Sequence, residues 1–374
     1  MSIPSVEKVT EALGRVNDPE IRRPITELNM VASVEVEESG SVTVGIKLTV
    51  AGCPLRDTLT EDIQKEVGAL EGVTNVKVMM GVMTDEEREA LKTQLRGGNP
   101  APRIPFSEPG NLTRVYAITS GKGGVGKSTV TVNLASALAS KGLKVGVMDA
   151  DIYGFSIPQM LGVEGQPTMV NKMIIPPHSG DIKVISIGMF IQENQPIVWR
   201  GPMLHRALEQ FLADVYWGDL DVLLIDLPPG TGDIALSLAQ LIPKAEIVLV
   251  TTPQVAAADV AERSGMMAAQ TKQHVVGVIE NMSYLEVNGE RMEIFGSGGG
   301  QAVADRLKNV LGYEVPVLAQ VPLEQAVREG GDAGTPFVAT EGATTAQSQL
   351  RAAADSLAKR GRGLAGMPLG VSPL

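Results

Sequence analysis

The sequence has 374 residues, of which 44% are hydrophobic and 20% are charged, which is the composition of a globular protein with room for two or three cores. Its formal net charge of −11 argues against a general nucleic-acid surface, because neutralising phosphates requires clustered Lys and Arg. A single cysteine excludes an internal disulfide framework, and without a long apolar run or a signal-peptide pattern we expect a cytoplasmic protein with no membrane partner.

The first part of the chain, residues 1–95, is predicted to form a small α+β domain. A helix is predicted over Val6–Val16, and alternation with period two on both sides of Glu38–Gly40 predicts a β-hairpin. The other periodic segments are a helix through Leu59, Ile63 and Val67, a strand over Val73–Val82 and a helix over Asp85–Leu95. Residues 96–111 are rich in Pro and Gly, so we interpret them as an interdomain linker stiffened by its prolines.

Strand and helix signals alternate in residues 112–360, which is the pattern of an α/β domain. Apolar runs predict strands over Val115–Thr119, Val145–Met148, Val184–Met189, Val222–Ile225, Ile247–Val250, Val275–Ile279 and Val315–Ala319. Helices are predicted from Val130 to Gly142 and over Pro202–Tyr216, Ile234–Leu241, Ala256–Ala269, Gln301–Leu311 and Thr344–Lys359. Strands this apolar must be covered on both faces, so we expect a mainly parallel sheet with helices on both faces. Residues 361–374 are expected to be a flexible tail.

A phosphate-binding pattern follows the first strand of this domain. Its members are Gly121, Lys122, Gly123, Gly124, Val125, Gly126, Lys127, Ser128 and Thr129. This is the P-loop pattern of a glycine, four residues and Gly-Lys-Ser, in which backbone amides and a helix N-terminus surround the phosphates. We expect Lys127 to reach the β- and γ-phosphates, Ser128 to place its hydroxyl on Mg²⁺, and Thr129 to lie near the α-phosphate. The pattern predicts a nucleoside triphosphate site.

Carboxylates end two of the other predicted strands. Asp226 follows an apolar run, as the metal-binding aspartate of P-loop enzymes does, although a strand-ending aspartate is also a common turn former. Asp149 and Asp151 are two residues apart, so continued strand geometry would point both in the same direction. One could then orient or deprotonate the attacking water while the other contacts the metal shell. The alternative is that both are loop caps.

Lys122 is a second lysine within the phosphate loop. A flexible cation beside the phosphates can neutralise charge in the transition state, either in its own subunit or across a dimer. The alternative is a solvated loop lysine.

Taken together, these motifs resemble those of a known group of ATPases. The second domain resembles the deviant Walker-A ATPases, which include MinD, ParA and the nitrogenase iron protein. Four segments look like the Mrp/ApbC branch, which is described as ATP-dependent carriers of iron–sulfur clusters: residues 199–202, 220–233, 280–283 and 295–300. In the first domain, Asp18–Glu20 and Thr49–Asp57 resemble the small iron–sulfur assembly domain that precedes the ATPase in many members.

The resemblance implies a set of roles for this chain. It implies a homodimer that binds ATP and Mg²⁺ and delivers clusters between scaffold and recipient apoproteins. Lys122 would reach the partner's nucleotide, Asp151 would lie near the attacking water, and Asn281 would read the adenine edge. With Lys127 these give the candidate catalytic set Lys122, Lys127 and Asp151, and the candidate Mg²⁺ ligands are Ser128, Asp149 and Asp226. ATP hydrolysis would then act as a slow switch that opens and closes the dimer.

The sequence departs from this branch at its cluster ligands. Cluster-carrying members place a Cys-x-x-Cys pair between the Asn-Met-Ser and Phe-Gly motifs, and here that interval, Tyr284–Ile294, contains no cysteine. Clusters are usually held by four thiolates. The lone Cys53 lies in a Gly-Cys-Pro setting that could make it a reactive or cluster-contacting thiolate, or it could be a small buried hydrophobe. The glycine run Gly296–Gly300 could bind an anion or form a tight turn.

Three functions are therefore considered from the sequence. The leading hypothesis is a dimeric, Mg²⁺-dependent ATPase that serves iron–sulfur cluster assembly or transfer. The alternative is a switch like MinD or ParA, which dimerises with ATP to organise a partner or surface without carrying a cluster. An electron-transfer ATPase resembling nitrogenase reductase is disfavoured by the missing cysteines.

Overall fold

A computed structural model describes residues 3–49, 55–98, 103–152, 154–190, 201–254 and 257–360. Cys53 and the predicted tail 361–374 lie outside the described residues. The chain divides into two compact units, one formed by residues 1–102 and 168–175 and the other by residues 103–167 and 176–374.

In residues 3–49 and 55–98 the first unit forms a three-stranded sheet with helices, as the sequence predicts for this part of the chain. Its elements are α1 (Val6–Leu13), β1 (Val31–Val36), β2 (Ser41–Leu48), α2 (Arg56–Gly68), β3 (Asn75–Val82) and α3 (Asp85–Leu95). Among the described residues the strand order is β1-β2-β3, with β1 antiparallel and β3 parallel to β2. Leu59, Ile63 and Val67 are buried on one side of α2, so the predicted helical stripe is confirmed as core.

The second part of the chain alternates strands and helices. It comprises β4 (Arg114–Ser120), α4 (Lys127–Ala139), β5 (Val145–Asp149), α5 (Ile157–Met160), β6 (Thr168–Val170), β7 (Met173–Ile175), β8 (His178–Ser179), β9 (Ile182–Ser186), α6 (Gly201–Ala213), β10 (Val222–Asp226), α7 (Asp233–Leu241), β11 (Glu246–Thr251), α8 (Ala257–Thr271), β12 (Val275–Val287), β13 (Glu290–Met292), α9 (Gly299–Leu311), β14 (Val317–Leu323), α10 (Gln325–Asp332) and α11 (Thr345–Ala358).

The strands of the second unit form one mainly parallel sheet, which confirms the predicted fold class. In the described residues its order is β13-β12-β11-β4-β10-β5-β9-β8, and β14 also pairs with β12. The pairings among β14, β12, β11, β4, β10, β5 and β9 are parallel, and only β8 and β13 join antiparallel. Every residue of β4, β5 and β10 is buried, so both faces of the sheet are covered.

The hairpin of β6 and β7 groups with the first unit, although it falls within the predicted domain 112–360. The Thr168 hydroxyl donates to Glu20 Oε2 over 2.9 Å, and the Asn171 amide donates to Asp85 O and Glu89 Oε2 over 3.1 and 3.2 Å. The predicted linker 96–111 is also divided, because its end joins the second unit. Phe106 is buried there and meets Trp217 edge-on, with ring centroids 6.2 Å apart.

The last helix is anchored through its C-terminal carbonyls. The Tyr116 hydroxyl donates to Leu357 O over 2.9 Å, and Arg114 Nη1 donates to the same oxygen over 3.3 Å. Both donors lie on β4, so α11 is attached to the strand that leads into the phosphate loop. A basic side chain and a hydroxyl thereby satisfy carbonyls that the helix itself cannot pair.

Among the described residues, none of the helices combines the length and the apolar character that are needed to span a membrane.

Gly146, the second residue of β5, packs closely against side chains that cover the sheet. A Cβ placed there would lie 2.6 Å from Leu220 Cδ1 and 2.9 Å from Trp217 Cζ3. We expect Gly146→Ala to lower the free energy of unfolding by about 1–3 kcal/mol through overpacking.

The change can be followed by tryptophan fluorescence during urea unfolding, because Trp217 is buried in the second unit beside Gly146. Gly110→Ala is the matched control, since no atom lies within 4 Å of its added Cβ. Equal unfolding midpoints for the two variants would contradict the close packing of β5.

Candidate functional site

The phosphate loop connects β4 to α4, as the sequence predicts. Gly124 and Gly126 adopt φ of +78° and +77°, in the left-handed region where a side chain is strained. Gly126 also has no room for a Cβ, which would lie 2.3 Å from Asn281 Nδ2. The loop therefore needs glycine for its conformation at two positions and for close approach at one of them. The helix begins immediately afterwards at Lys127, so its N-terminus faces the loop.

An open cleft with a cavity volume of about 240 Å³ lies over this loop. Its lining includes Ser120, Gly123–Thr129, Asp151, Gly154, Ser156, Met160 and Pro229. Ligand sites in proteins typically occupy roughly 300–1,000 Å³, so the cleft is slightly smaller than a typical enclosed site, and it is open to solvent. It lies at the carboxyl ends of parallel strands, where α/β proteins bind their ligands.

The Asp226 carboxylate is the centre of the hydrogen bonding beside this cleft. It is buried at the end of β10 and accepts from Lys127 Nζ and from the Ser128 hydroxyl, each over 2.6 Å and each at Oδ2. The Thr131 hydroxyl lies 2.8 Å from the other oxygen, Oδ1. A buried carboxylate requires such partners, because desolvation of an unpaired charge is costly. Residues predicted separately, from the loop and from the strand end, thus form one cluster.

Asp149 and Asp151 differ in position, contrary to the idea that both point the same way. Asp149 is fully buried and its carboxylate accepts from the backbone amides of Asp151, Ser156 and Ile157 and from the Ser186 hydroxyl. Asp151 lies past the end of β5, lines the cleft and has Oδ2 4.0 Å from Lys127 Nζ. Strand geometry ends at Asp149, so the alternation on which the expectation depended stops there. Asp149 has the contacts of a loop cap, and its predicted role as an Mg²⁺ ligand stays a prediction.

The environment of Asp149 changes its proton affinity. Burial raises the pKa of its carboxyl group from 3.8 to about 7, and the neighbouring Asp226 carboxylate adds to the rise. The hydrogen bonds from Asp151, Ile157 and Ser186 act in the opposite direction and favour the ionised form. In the paired strands β5 and β10, Asp149 stands directly beside Asp226, which explains the electrostatic contribution.

The Lys122 side chain contacts the segment that follows the neighbouring strand β11. Its Nζ donates a hydrogen bond to Oε1 of Gln254, which follows β11. Lys122 is partly buried and is not among the cleft-lining residues. The sequence did not single out Gln254; its place just after an apolar strand is the available signal.

Asn281 contacts the phosphate loop itself. Its Nδ2 donates to Val125 O over 2.9 Å, and its side chain fills the space over Gly126. The next residue, Met282, has a φ of +58°, which bends β12 at this point. The sequence predicts a strand only to Ile279, whereas β12 runs on to Val287 and so carries Asn281 to the loop.

A side chain of this protein binds the backbone of the glycine run Gly296–Gly300, at the start of α9. Oε2 of the buried Glu280 accepts from Gly300 N over 2.5 Å. A carboxylate therefore already occupies the helix N-terminus, where the sequence left open an external anion or a tight turn. Gly296 and Gly298 adopt φ of +83° and +77°, as a turn requires. The turn is the observed alternative.

Two protein-family models match this chain. A family model named ParA and described as NUBPL iron-transfer P-loop NTPase matches residues 111–358. The chain belongs to this family. A second model, described as iron-sulfur cluster assembly protein, matches residues 6–78. Both domain resemblances inferred from motifs are thereby confirmed.

Individual relatives agree with the two family models. An iron-sulfur cluster carrier protein of Mycobacterium tuberculosis (strain H37Rv) is 57% identical over 366 residues, covering 98% of this chain and 96% of that protein. One from Synechocystis is 40% identical over 362 residues, covering 95% and 97%. A solved nucleotide-binding protein from Archaeoglobus fulgidus, in complex with ADP, is 33% identical, covers 70% of this chain and 98% of that chain, and has a TM-score of 0.51.

The proton affinity of Asp149 predicts a pH-dependent stability. The folded chain binds this proton more tightly than the unfolded chain, whose pKa is near 3.8, so protonation favours folding below about pH 4. That contribution is lost as the pH rises towards about 7. Without nucleotide or divalent cation, we expect the unfolding free energy of the wild type to fall relative to that of Asp149→Asn across this range.

The largest expected slope is about 1.4 kcal/mol per pH unit. Urea unfolding followed by tryptophan fluorescence at a series of pH values measures it. Parallel pH profiles for the two proteins would show that Asp149 does not gain a proton in this range.

Proposed function

We propose that this protein is a Mg²⁺-dependent ATPase whose nucleotide cycle serves the assembly or transfer of iron–sulfur clusters. The observation that carries the proposal is the convergence of Lys127, Ser128 and Thr131 on the buried Asp226, beside a cleft lined by the phosphate loop. Family membership supports it, as does the ADP bound by the Archaeoglobus relative.

Binding of the nucleotide would redistribute the charges of this cluster. The ammonium group of Lys127 pairs with Asp226 over 2.6 Å and lies 4.0 Å from Asp151. On nucleotide binding it would move from these two carboxylates to the phosphates. Backbone amides of the loop and the N-terminus of α4 would hold the phosphate oxygens. Asp151 would orient the attacking water from the rim of the cleft. Most of the catalysis would be positioning and electrostatic stabilisation.

The oxygen atoms beside Lys127 suit a magnesium ion. The Ser128 hydroxyl and Asp226 Oδ2 are 2.6 Å apart, and both are hard oxygen donors of the kind that Mg²⁺ prefers. Ser128 and Asp226 would hold the ion, which would neutralise charge on the β- and γ-phosphates. The carboxylate of Asp149, the third candidate ligand, accepts from three backbone amides and a hydroxyl, and one of these bonds would have to give way to the ion.

Lys122 and Asn281 would complete the site in a homodimer. Lys122 would exchange its bond with Gln254 for a phosphate of the partner's nucleotide, and the slow hydrolysis that follows would reopen the dimer. Asn281 lies against the loop at Val125 and would also read the adenine edge. In this scheme the nucleotide state controls whether two copies stay together.

The cargo of this switch is proposed from the relatives' names and the second family model. Those relatives are named iron-sulfur cluster carrier proteins, and the small unit matches an iron-sulfur cluster assembly family. Cys53 is the only thiol, so two copies would supply two of the usual four thiolates. Recipient or scaffold apoproteins would supply further ligands during transfer. The same scarcity of cysteine favours the alternative, a nucleotide-driven switch that organises a partner without carrying a cluster.

The nucleotide site is tested by Lys127→Ala. We expect ATP hydrolysis to fall to background, because the contact with the β- and γ-phosphates is lost; for comparison, an arginine finger at a transferring phosphate contributes on the order of 10³–10⁵ in rate. Phosphate release measured with Mg²⁺ and ATP gives the result.

Lys141→Ala is the matched control, since it removes a lysine just after α4 whose partner is the surface residue Asp355. Undiminished turnover in Lys127→Ala would refute the assignment of the site.

Cluster binding is tested by anaerobic incubation with ferrous iron and sulfide. We expect a brown wild-type protein with visible absorbance, and we expect Cys53→Ser and Cys53→Ala to stay colourless, because no other thiol is available. A colourless wild type would contradict direct cluster binding and leave the partner-organising switch as the function.

A further inference from the structure

We propose that Glu280 is a positioning residue for the nucleotide site, a role that rests on the proposed function. Its carboxylate ties the start of α9 to β12, and this attachment keeps the adjacent Asn281 on the phosphate loop. Glu280 itself does not reach the cleft lining. It would act through Asn281.

The contacts of Glu280 are those of a structural anchor. The residue is 1% exposed, and both carboxylate oxygens are used: Oε2 accepts from Gly300 N over 2.5 Å and Oε1 accepts from Gln320 Nε2 over 3.0 Å. The positive end of a helix dipole favours a carboxylate at this place. A buried carboxylate that lost these donors would be strongly destabilised, so β12 and α9 are held together at this point.

The start of α9 is built to approach the strands closely. A Cβ on Gly300 would lie 2.8 Å from Glu280 Cβ, and one on Gly299 would lie 2.4 Å from Pro253 O. Only glycine fits at these two positions without displacing a neighbour. Pro253 precedes Gln254, the acceptor for Lys122, so the same helix end also braces the segment that holds this lysine.

Asn281 continues the connection towards the phosphates. Glu280 and Asn281 are consecutive in β12 and their side chains serve opposite neighbours, one at α9 and the other at the loop. The Asn281 amide bonds to Val125 O over 2.9 Å, next to Gly126. If Glu280 no longer held the strand, Asn281 would lose its fixed position, and with it the loop would lose a bond that shapes its backbone.

A double-mutant cycle tests this connection. The affinity for N-methylanthraniloyl-ADP is measured by fluorescence titration for wild type, Glu280→Ala, Glu280→Gln, Asn281→Ala and the Glu280→Ala/Asn281→Ala pair. We expect Glu280→Gln to stay within about twofold of wild type, because its amide oxygen can accept from Gly300 N and its NH2 group can donate to Gln320 once the exposed Gln320 amide rotates, and we expect Glu280→Ala to weaken binding about tenfold. The double variant is expected to bind no more weakly than Asn281→Ala, because both changes remove the same connection.

The controls separate positioning from a loss of folded protein. Glu286→Ala removes an exposed glutamate from the same strand and should leave the affinity unchanged. Reversible unfolding raises the apparent dissociation constant in inverse proportion to the folded fraction, so the affinity of each variant is corrected for its folded fraction from urea unfolding. If Glu280→Ala fails to fold, Gln320→Ala takes its place in the cycle; it removes one of the two bonds from an exposed position and should weaken binding about two- to threefold.

Additive effects of the two substitutions, or an unchanged affinity in Glu280→Ala, would overturn the role of Glu280. The wild type would still bind the probe in that case and Lys127→Ala would still abolish hydrolysis, so the proposed function would stand. A wild type that does not bind the probe would refute the proposed function itself.

Discussion

The nucleotide site depends on one interaction, the pairing of the buried Asp226 carboxylate with Lys127, Ser128 and Thr131. All three donors lie in the first turns of α4, and the acceptor ends β10. The charge on Asp226 cannot be left unpaired in this interior, so α4 is docked against β10 and the preceding loop is drawn over the carboxyl end of the sheet. The same bond holds Lys127 beside the cleft in which the phosphates would bind.

Two further carboxylates, Asp149 and Glu280, are buried near the same edge of the sheet, and each is satisfied differently. Backbone amides and a serine surround Asp149, whereas the start of α9 and a glutamine hold Glu280. This edge is therefore organised by hydrogen bonds within the chain. In the proposed function a nucleotide would replace some of these bonds, chiefly those of Lys127, and such an exchange would give the two states of the proposed switch.

Elements and residues with a local sequence signal could be predicted, whereas those defined by distant contacts could not. The phosphate loop, the acid ending β10 and most helices and strands were predicted, because each has a local signal in spacing or apolar periodicity. Thr131 and Gln254 were missed, since their roles come from contacts with distant parts of the chain. The hairpin Thr168–Ile175 lies inside the sequence of one domain and packs in the other unit, and no local pattern marks such an excursion.

By itself the sequence determined the α/β class, the P-loop with its extra lysine, and the shortage of thiols, because backbone conformation at glycine, apolar periodicity and residue counts are local properties. Tertiary structure decided what the acids do. Asp149, Asp151, Asp226 and Glu280 look alike along the chain, yet one caps a loop, one faces the cleft, one holds the lysine and one anchors a helix. The role of a carboxylate is set by its burial and by the donors that folding brings to it, and those donors come from elsewhere in the chain.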